Sequence, residues 1–217
     1  MSTKFKAKAL DVIRDRIIYL EYKPGAPLNE KEIASELGIS RTPVREAMIQ
    51  LKIDGLVEII PRSGTYVKKV DLLELKNCYV VRSNLEGLVA ELAAVHILPQ
   101  DISRLEDIVE KGMKIIADDS ITDHEIRLSV VQLDSLFHEI LYASCFNDAL
   151  IEVLKMIGYR CRRGWYSYIN IIPETITAID GINNILDAIK RSDRALARTR
   201  MMEHVNGFIE QLQKKIN

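Results

Sequence analysis

Cysteine is scarce: Cys78, Cys145 and Cys161 are an odd number in separate contexts, with no CxxC pair. That excludes a disulfide framework and favours a reducing compartment, with the cytoplasm as the expected location. Long apolar runs are missing too. None approaches the roughly 20 residues of a membrane span, and the first twenty residues carry charges every few positions where a signal peptide needs an apolar stretch. A soluble, unexported protein is the expectation. The sequence also lacks a phosphate-binding loop, a dinucleotide fingerprint, a nucleophile motif and any internal repeat. Net charge is nearly absent, 30 Lys and Arg against 31 Asp and Glu, which argues against a chain that binds polyanions along its whole length.

What is present is enough for a core: 217 residues, 47% hydrophobic and 28% charged, the size of one or two ordinary domains. The charge is unevenly placed. Residues 1–70 hold 13 Lys and Arg against 9 Asp and Glu, a net of +4, leaving 17 against 22, a net of −5, for the rest. A basic head is joined to an acidic body.

In the head, Leu10, Ile13, Ile17 and Leu20 recur at helical spacing from about Phe5 to Leu20, and Tyr22-Lys23-Pro24-Gly25 stops the helix. Asn29 and Glu32 form a capping-box-like start for a short helix with Ile33, Ala34 and Leu37 inward, which Gly38 ends. Ser40 is placed as N-cap of a third helix that tolerates Pro43 in its first turn and buries Val44, Ala47, Met48 and Leu51. Leu56 to Ile60 and Thr65 to Val67, split by Pro61-Arg62-Ser63-Gly64, read as a two-stranded hairpin. From residue 71 onward the pattern is helical. The spacing predicts helices at about 71–98, 101–117, 123–143, 147–168, 174–191 and 193–215, with Pro99 and Ile172-Pro173 among the breaks. The expected fold is mainly α: an N-terminal winged helix-turn-helix, residues 1–70, and a C-terminal all-α bundle, residues 71–217.

A short helix, a turn with glycine and a second helix is the layout that puts the second helix into the DNA major groove. The exposed start of that helix carries Ser40, Arg41, Thr42 and Arg45, with the two arginines one turn apart on one face. Arginine pairs bidentately with guanine, and hydroxyls reach phosphates. The hairpin tip adds Arg62, Ser63 and Gly64. A lone arginine would read as solvated surface; the combination of spacing, wing and local positive charge favours double-stranded operator DNA as partner.

The run Pro24-Gly25, Leu28-Asn29-Glu30, Ile33-Ala34, Leu37-Gly38-Ile39-Ser40-Arg41-Thr42-Pro43-Val44-Arg45-Glu46-Ala47, Gly55-Leu56-Val57 and Gly64-Thr65-Tyr66-Val67 closely resembles the winged-helix domain of GntR-family bacterial transcription regulators. The remainder resembles their FadR-type (FCD) effector domain. By that likeness Arg41 and Arg45 would read bases, Ser40, Thr42 and Lys31 would hold backbone, and Ser63-Gly64 would enter the minor groove.

In the body, Asp134 and His138 share a helix face, and His204 could join them from the last helix. On spacing alone, an Asp and a His one turn apart more often make a surface pair. In many FCD domains, however, an Asp and three His line a central metal site. Asp134, His138 and His204 match three of those positions, and the third imidazole falls on Ile182, which cannot ligate. The resemblance implies a weakened site for Zn²⁺ or Ni²⁺, or direct hydrogen bonding of Asp134, His138 and His204 to an organic effector. Arg82 and Glu86 match the R-x2-LE motif of such domains, where the arginine often holds a carboxylate; the alternative is an intrahelical ion pair. Arg160, Arg162, Arg163, Trp165, Tyr166 and Tyr168 are assigned to pocket or dimer surface, and His96 and His124 to the exterior. The resulting expectation is a homodimeric DNA-binding regulator responsive to a small carboxylate held by Arg82, Asp134, His138 and His204. Its rivals are a metal-dependent enzyme built on Asp134, His138 and His204, and a regulator whose body only dimerises.

Overall fold

A computed structural model describes residues 2–171 and 176–216. Among them the chain runs α1 Ser2–Ile18, β1 Pro27–Leu28, α2 Glu30–Leu37, α3 Arg41–Ile53, β2 Val57–Ile60 and β3 Gly64–Val67. Then come α4 Leu72–His96, α5 Pro99–Ile116, α6 Asp123–Ser144, α7 Asp148–Tyr168, α8 Ile176–Lys190 and α9 Arg194–Ile216. These residues form two compact units, Met1–Cys78 with Lys155–Ser167, and Tyr79–Leu154 with Tyr168–Asn217.

In the first unit, Ile13 and Ile17 of α1, Ile33 and Ala34 of α2, and Val44, Ala47, Met48 and Leu51 of α3 close around one core with Leu56, Val57 and Val67. The helix starts follow from their caps: Asn29 Oδ1 accepts from the N–H groups of Lys31 and Glu32 and so satisfies two donors that the helix leaves unpaired. Gly38 ends α2 with φ +66, a left-handed conformation that costs glycine little and lets α3 begin three residues later. Ser40 occupies the N-cap of α3 with extended backbone, but its hydroxyl makes no capping hydrogen bond.

The sheet differs from a plain hairpin. β2 and β3 pair antiparallel with Val57 opposite Val67 and Ile60 opposite Gly64, and β1 adds to the outer edge of β3, giving the order β1-β3-β2. Two residues beginning with proline carry no alternation, so β1 has no sequence signature. The first helix also ends earlier than its apolar spacing suggests: α1 stops at Ile18, and Leu20 takes a left-handed φ of +64.

The second unit is helical throughout. Thr122 and Glu125 form a reciprocal capping box before α6; α4, whose first turn belongs to the first unit, starts where Asp71 Oδ1 accepts from Glu74 N at 2.7 Å. Pro99 does not end a helix but opens one. α4 finishes at His96, and Pro99 stands in the first turn of α5, where a missing N–H costs nothing. The break expected at Ile172-Pro173 lies outside the described residues. Ile179, Ile182, Ile185 and Ala188 of α8 are fully buried, as are Ala197, Met201 and Leu212 of α9. No helix of the described residues is long and apolar enough to cross a membrane.

Candidate functional site

Two clusters of polar side chains stand out, one in each unit. In the first, α3 buries Pro43, Val44, Ala47 and Met48, which leaves Arg41, Thr42 and Arg45 on its exposed side together with Ser40. Both arginines turn toward Glu30, the first residue of α2. Glu30 Oε2 lies 3.3 Å from Nε and from Nη2 of Arg45 and 3.5 Å from Nη2 of Arg41. Lys31 is exposed on α2. At the hairpin tip Arg62 adopts φ +64, Ser63 Oγ shares a 2.9 Å hydrogen bond with the Tyr66 hydroxyl, and Arg62, Ser63 and Gly64 are all exposed.

Two of the three arginines of α7, Arg160 and Arg163, are accounted for within the same unit. Arg163 is buried and donates from Nη1 to the carbonyls of Leu56 and Lys68, at 3.1 and 2.9 Å, which face each other at the base of the wing, where Lys68 N also donates to Leu56 O. Burial lowers its pKa to about 10. Arg160 donates from Nε to the Asp54 carbonyl at 2.8 Å, at the C-terminus of α3. Gly55, with φ +75, has no room for a side chain: a Cβ there would meet the Arg160 guanidinium at 2.4 Å. Tyr159 lies under Arg14, and Tyr166 meets Tyr19 edge to face.

In the second unit α6 presents Asp134 and His138 one turn apart, and α9 brings His204 to them. His204 Nε2 is 2.8 Å from Asp134 Oδ1, His138 Nε2 is 3.9 Å from Asp134 Oδ2, and one donor atom from each of the three residues falls within a 4.8 Å cluster. Gly181 of α8 backs onto His204, where an added Cβ would come within 2.7 Å of Nδ1. Ile182, the position matching the family's further histidine, is fully buried.

Glu86 was not among the expected site residues, yet the cluster is organised around it. Its carboxylate is fully buried. Oε2 stands 2.9 Å from His138 Nδ1, while Oε1 accepts from the Tyr142 hydroxyl at 2.5 Å and from Arg82 Nε at 3.1 Å. Burial alone would raise the Glu86 pKa; His138, Arg82 and Tyr142 outweigh it and hold the group at about 2. Burial opposes ionisation of Asp134 as well, and the two histidines and Arg82 outweigh it, keeping that carboxyl well below its usual range. Burial and the neighbouring Glu86 raise the Tyr142 pKa well above that of a free phenol. Arg82 stands beside the cluster, and its Nε is engaged by Glu86 in a part-buried intrahelical ion pair, the alternative that the spacing offered. The motif that contains Glu86 was legible. Its role was not, because the partner histidine lies 52 residues away on another helix.

A metal ion fits these residues on one observation beyond the donor set. With Glu86 accepting at Nδ1, His138 keeps its proton on that nitrogen and turns Nε2 toward Asp134, and Nε2 is a buried nitrogen with no hydrogen-bond partner among the described residues. His96 is exposed and packs edge-on to Phe146. His124 is exposed, 3.2 Å from Asn170 Oδ1. Neither approaches the cluster.

Comparison with known proteins gives a consistent result. Residues 6–67 match the family described as bacterial regulatory proteins, gntR family, and residues 77–207 match the FCD domain. The chain is 30% identical over 207 residues to an HTH-type transcriptional regulator in an unstable DNA locus of Streptomyces ambofaciens, covering 93% of this chain and 82% of that protein. It is 29% identical over 206 residues to the HTH-type transcriptional repressor RspR of Escherichia coli, covering 94% and 86%. The solved structure of E. coli McbR/YncC superposes with a TM-score of 0.81 at 24% identity, over 98% of this chain and 99% of that one, and so shares the fold.

Proposed function

The chain belongs to the GntR family of bacterial transcription regulators that carry an FCD domain, and from that premise we propose that its DNA affinity is set by a small ligand bound at the Asp134, His138 and His204 cluster. The family is one of regulators, not enzymes. The observation that carries the ligand reading is the buried Nε2 of His138, which has no hydrogen-bond partner among the described residues while Glu86 holds the ring at Nδ1. Leaving a buried polar atom unpaired costs on the order of 1–3 kcal/mol, which a bound group would recover.

Asp134, His138 and His204 would hold a divalent ion such as Zn²⁺ or Ni²⁺, and an imidazole and carboxylate donor set suits both. When bound, the ion would attract an anionic oxygen of an organic acid. Arg82, next to the cluster and partly neutralised by Glu86, adds positive potential on the same side. In the head, Arg41 and Arg45 would read bases, Ser40, Thr42, Lys31 and Arg62 would meet phosphates, and Ser63-Gly64 would approach the minor groove. The Ser40 hydroxyl, unused as a cap, is available for that contact.

Palindromic recognition needs two heads. One face of α4 leaves Leu73, Val80 and Val81 exposed at 68%, 54% and 48%, and such a stripe suits the seam of a homodimer. Leu75 and Tyr79 of the same helix are buried within the protomer.

Metal analysis tests the ligand reading. The purified chain should hold less than one equivalent of Zn²⁺ or Ni²⁺ and lose it to a chelator, and Ile182→His should raise retention. Full, chelator-resistant occupancy would contradict a weakened site, and no binding of either ion or of any small carboxylate would remove the ligand reading.

A further inference from the structure

Glu30 opens α2, but the helix does not need its carboxylate as a cap. Asn29 already accepts from the Lys31 and Glu32 N–H groups, and Glu32 in turn takes the Asn29 amide. The Glu30 side chain crosses instead to α3 and touches both arginines that would read bases. Its side chain is 21% exposed, against 60% for Arg41 and 63% for Arg45. Exposed ion pairs of this kind add little to stability. Their effect falls on the electrostatic field where DNA would lie.

Two free guanidinium groups attract any phosphate, and that attraction supplies nearly all non-specific affinity. A carboxylate between them cancels one of the two charges at long range. Short-range recognition survives. Arg45 is gripped along its Nε and Nη2 edge, so Nη1 and the second hydrogen of Nη2 stay outside that grip and can meet guanine O6 and N7. The grip also holds a long side chain near one orientation before DNA arrives, which lowers the ordering cost of the specific complex. We propose that Glu30 is a specificity-determining residue of the DNA-binding surface, which orients Arg41 and Arg45 and suppresses their attraction to phosphate relative to guanine. The proposal rests on the reading of those two arginines as base readers.

The test uses the full chain, a mixed-sequence duplex over a range of KCl, and selection of bound sites from a random duplex library. Glu30→Gln should bind the mixed-sequence duplex about 3- to 10-fold more tightly, with a log–log salt slope steeper by about one. It should select sites with weaker preference at the positions that Arg45→Ala also loosens. Glu30→Asp still places a carboxylate at the helix N-terminus, where it suits the dipole, but is one methylene short of the arginines and should behave like the glutamine variant in selection. A glutamine variant with the wild-type slope and wild-type sites overturns the proposal, as does an aspartate variant that fully restores wild-type selection. If Arg41→Ala and Arg45→Ala both leave site preference intact, the base-reading assignment falls, and the role of Glu30 with it.

Discussion

Glu86 is the residue whose chemistry sequence spacing concealed and packing disclosed. Its ionised form is favoured by His138, Arg82 and Tyr142 more than burial disfavours it. A carboxyl with a depressed folded pKa contributes stability that is fully present above its unfolded value of about 4.3 and is lost as pH falls toward about 2. The difference in unfolding free energy between wild type and Glu86→Gln should accordingly be constant above about pH 5 and shrink on further acidification. A difference that is flat down to pH 2 would contradict this. The same substitution should weaken Zn²⁺ binding by roughly 10- to 100-fold, as expected when the partner that orients a ligating histidine is altered, and a competition titration against a chromophoric chelator reads it. In the head, Arg41→Ala and Arg45→Ala should each cost about 1–3 kcal/mol and relax base preference. Asp134, His138 and His204 could be placed on one site from sequence through family likeness. The Arg82–Glu86 pair was legible as an alternative, one turn apart on one helix; that Glu86 would also meet His138 and Tyr142 was not, because that depends on how α4 packs against α6.

Among the elements, α7 carries more than its sequence reveals. Its cluster of Arg160, Arg162, Arg163, Trp165, Tyr166 and Tyr168 reads as pocket or dimer surface, because the acceptors of Arg160 and Arg163 are backbone carbonyls more than 90 residues away and carbonyls leave no mark in a sequence. The structure directs Arg160 to the end of α3 and Arg163 to the base of the wing. Arg163→Met should remove one of two donors from the Leu56 carbonyl and a donor from the part-buried Lys68 carbonyl, and lower the unfolding free energy by about 1–3 kcal/mol. Chemical denaturation checks this, and a change below about 0.5 kcal/mol would show that the contacts contribute little. Helix limits were far more legible, since Asn29, Gly38 and Asp71 announce them with local chemistry. The exceptions are β1, two residues without periodicity, and Pro99, which suits a helix start as well as an end.

At the scale of the whole molecule, a net charge near zero hides a basic head and an acidic body, and that partition was visible once the chain was divided at residue 70. The exposed Leu73, Val80 and Val81 of α4 supply the proposed dimer seam. Replacing Val80 with Asp should shift the sedimentation profile from dimer toward monomer at micromolar concentration, while a wild type already monomeric there would refute the seam. The central claim joins the two polar clusters: DNA binding in the head answers to ligand binding in the body. The most direct measurement is footprinting of the full chain on DNA flanking its own gene, with added Zn²⁺ and after chelation. A protected segment with two-fold pseudosymmetry, at an affinity that differs several-fold between the two conditions and ceases to differ in a His138→Ala variant, is the predicted result. Protection identical in both conditions, with Zn²⁺ bound in one of them, would contradict it.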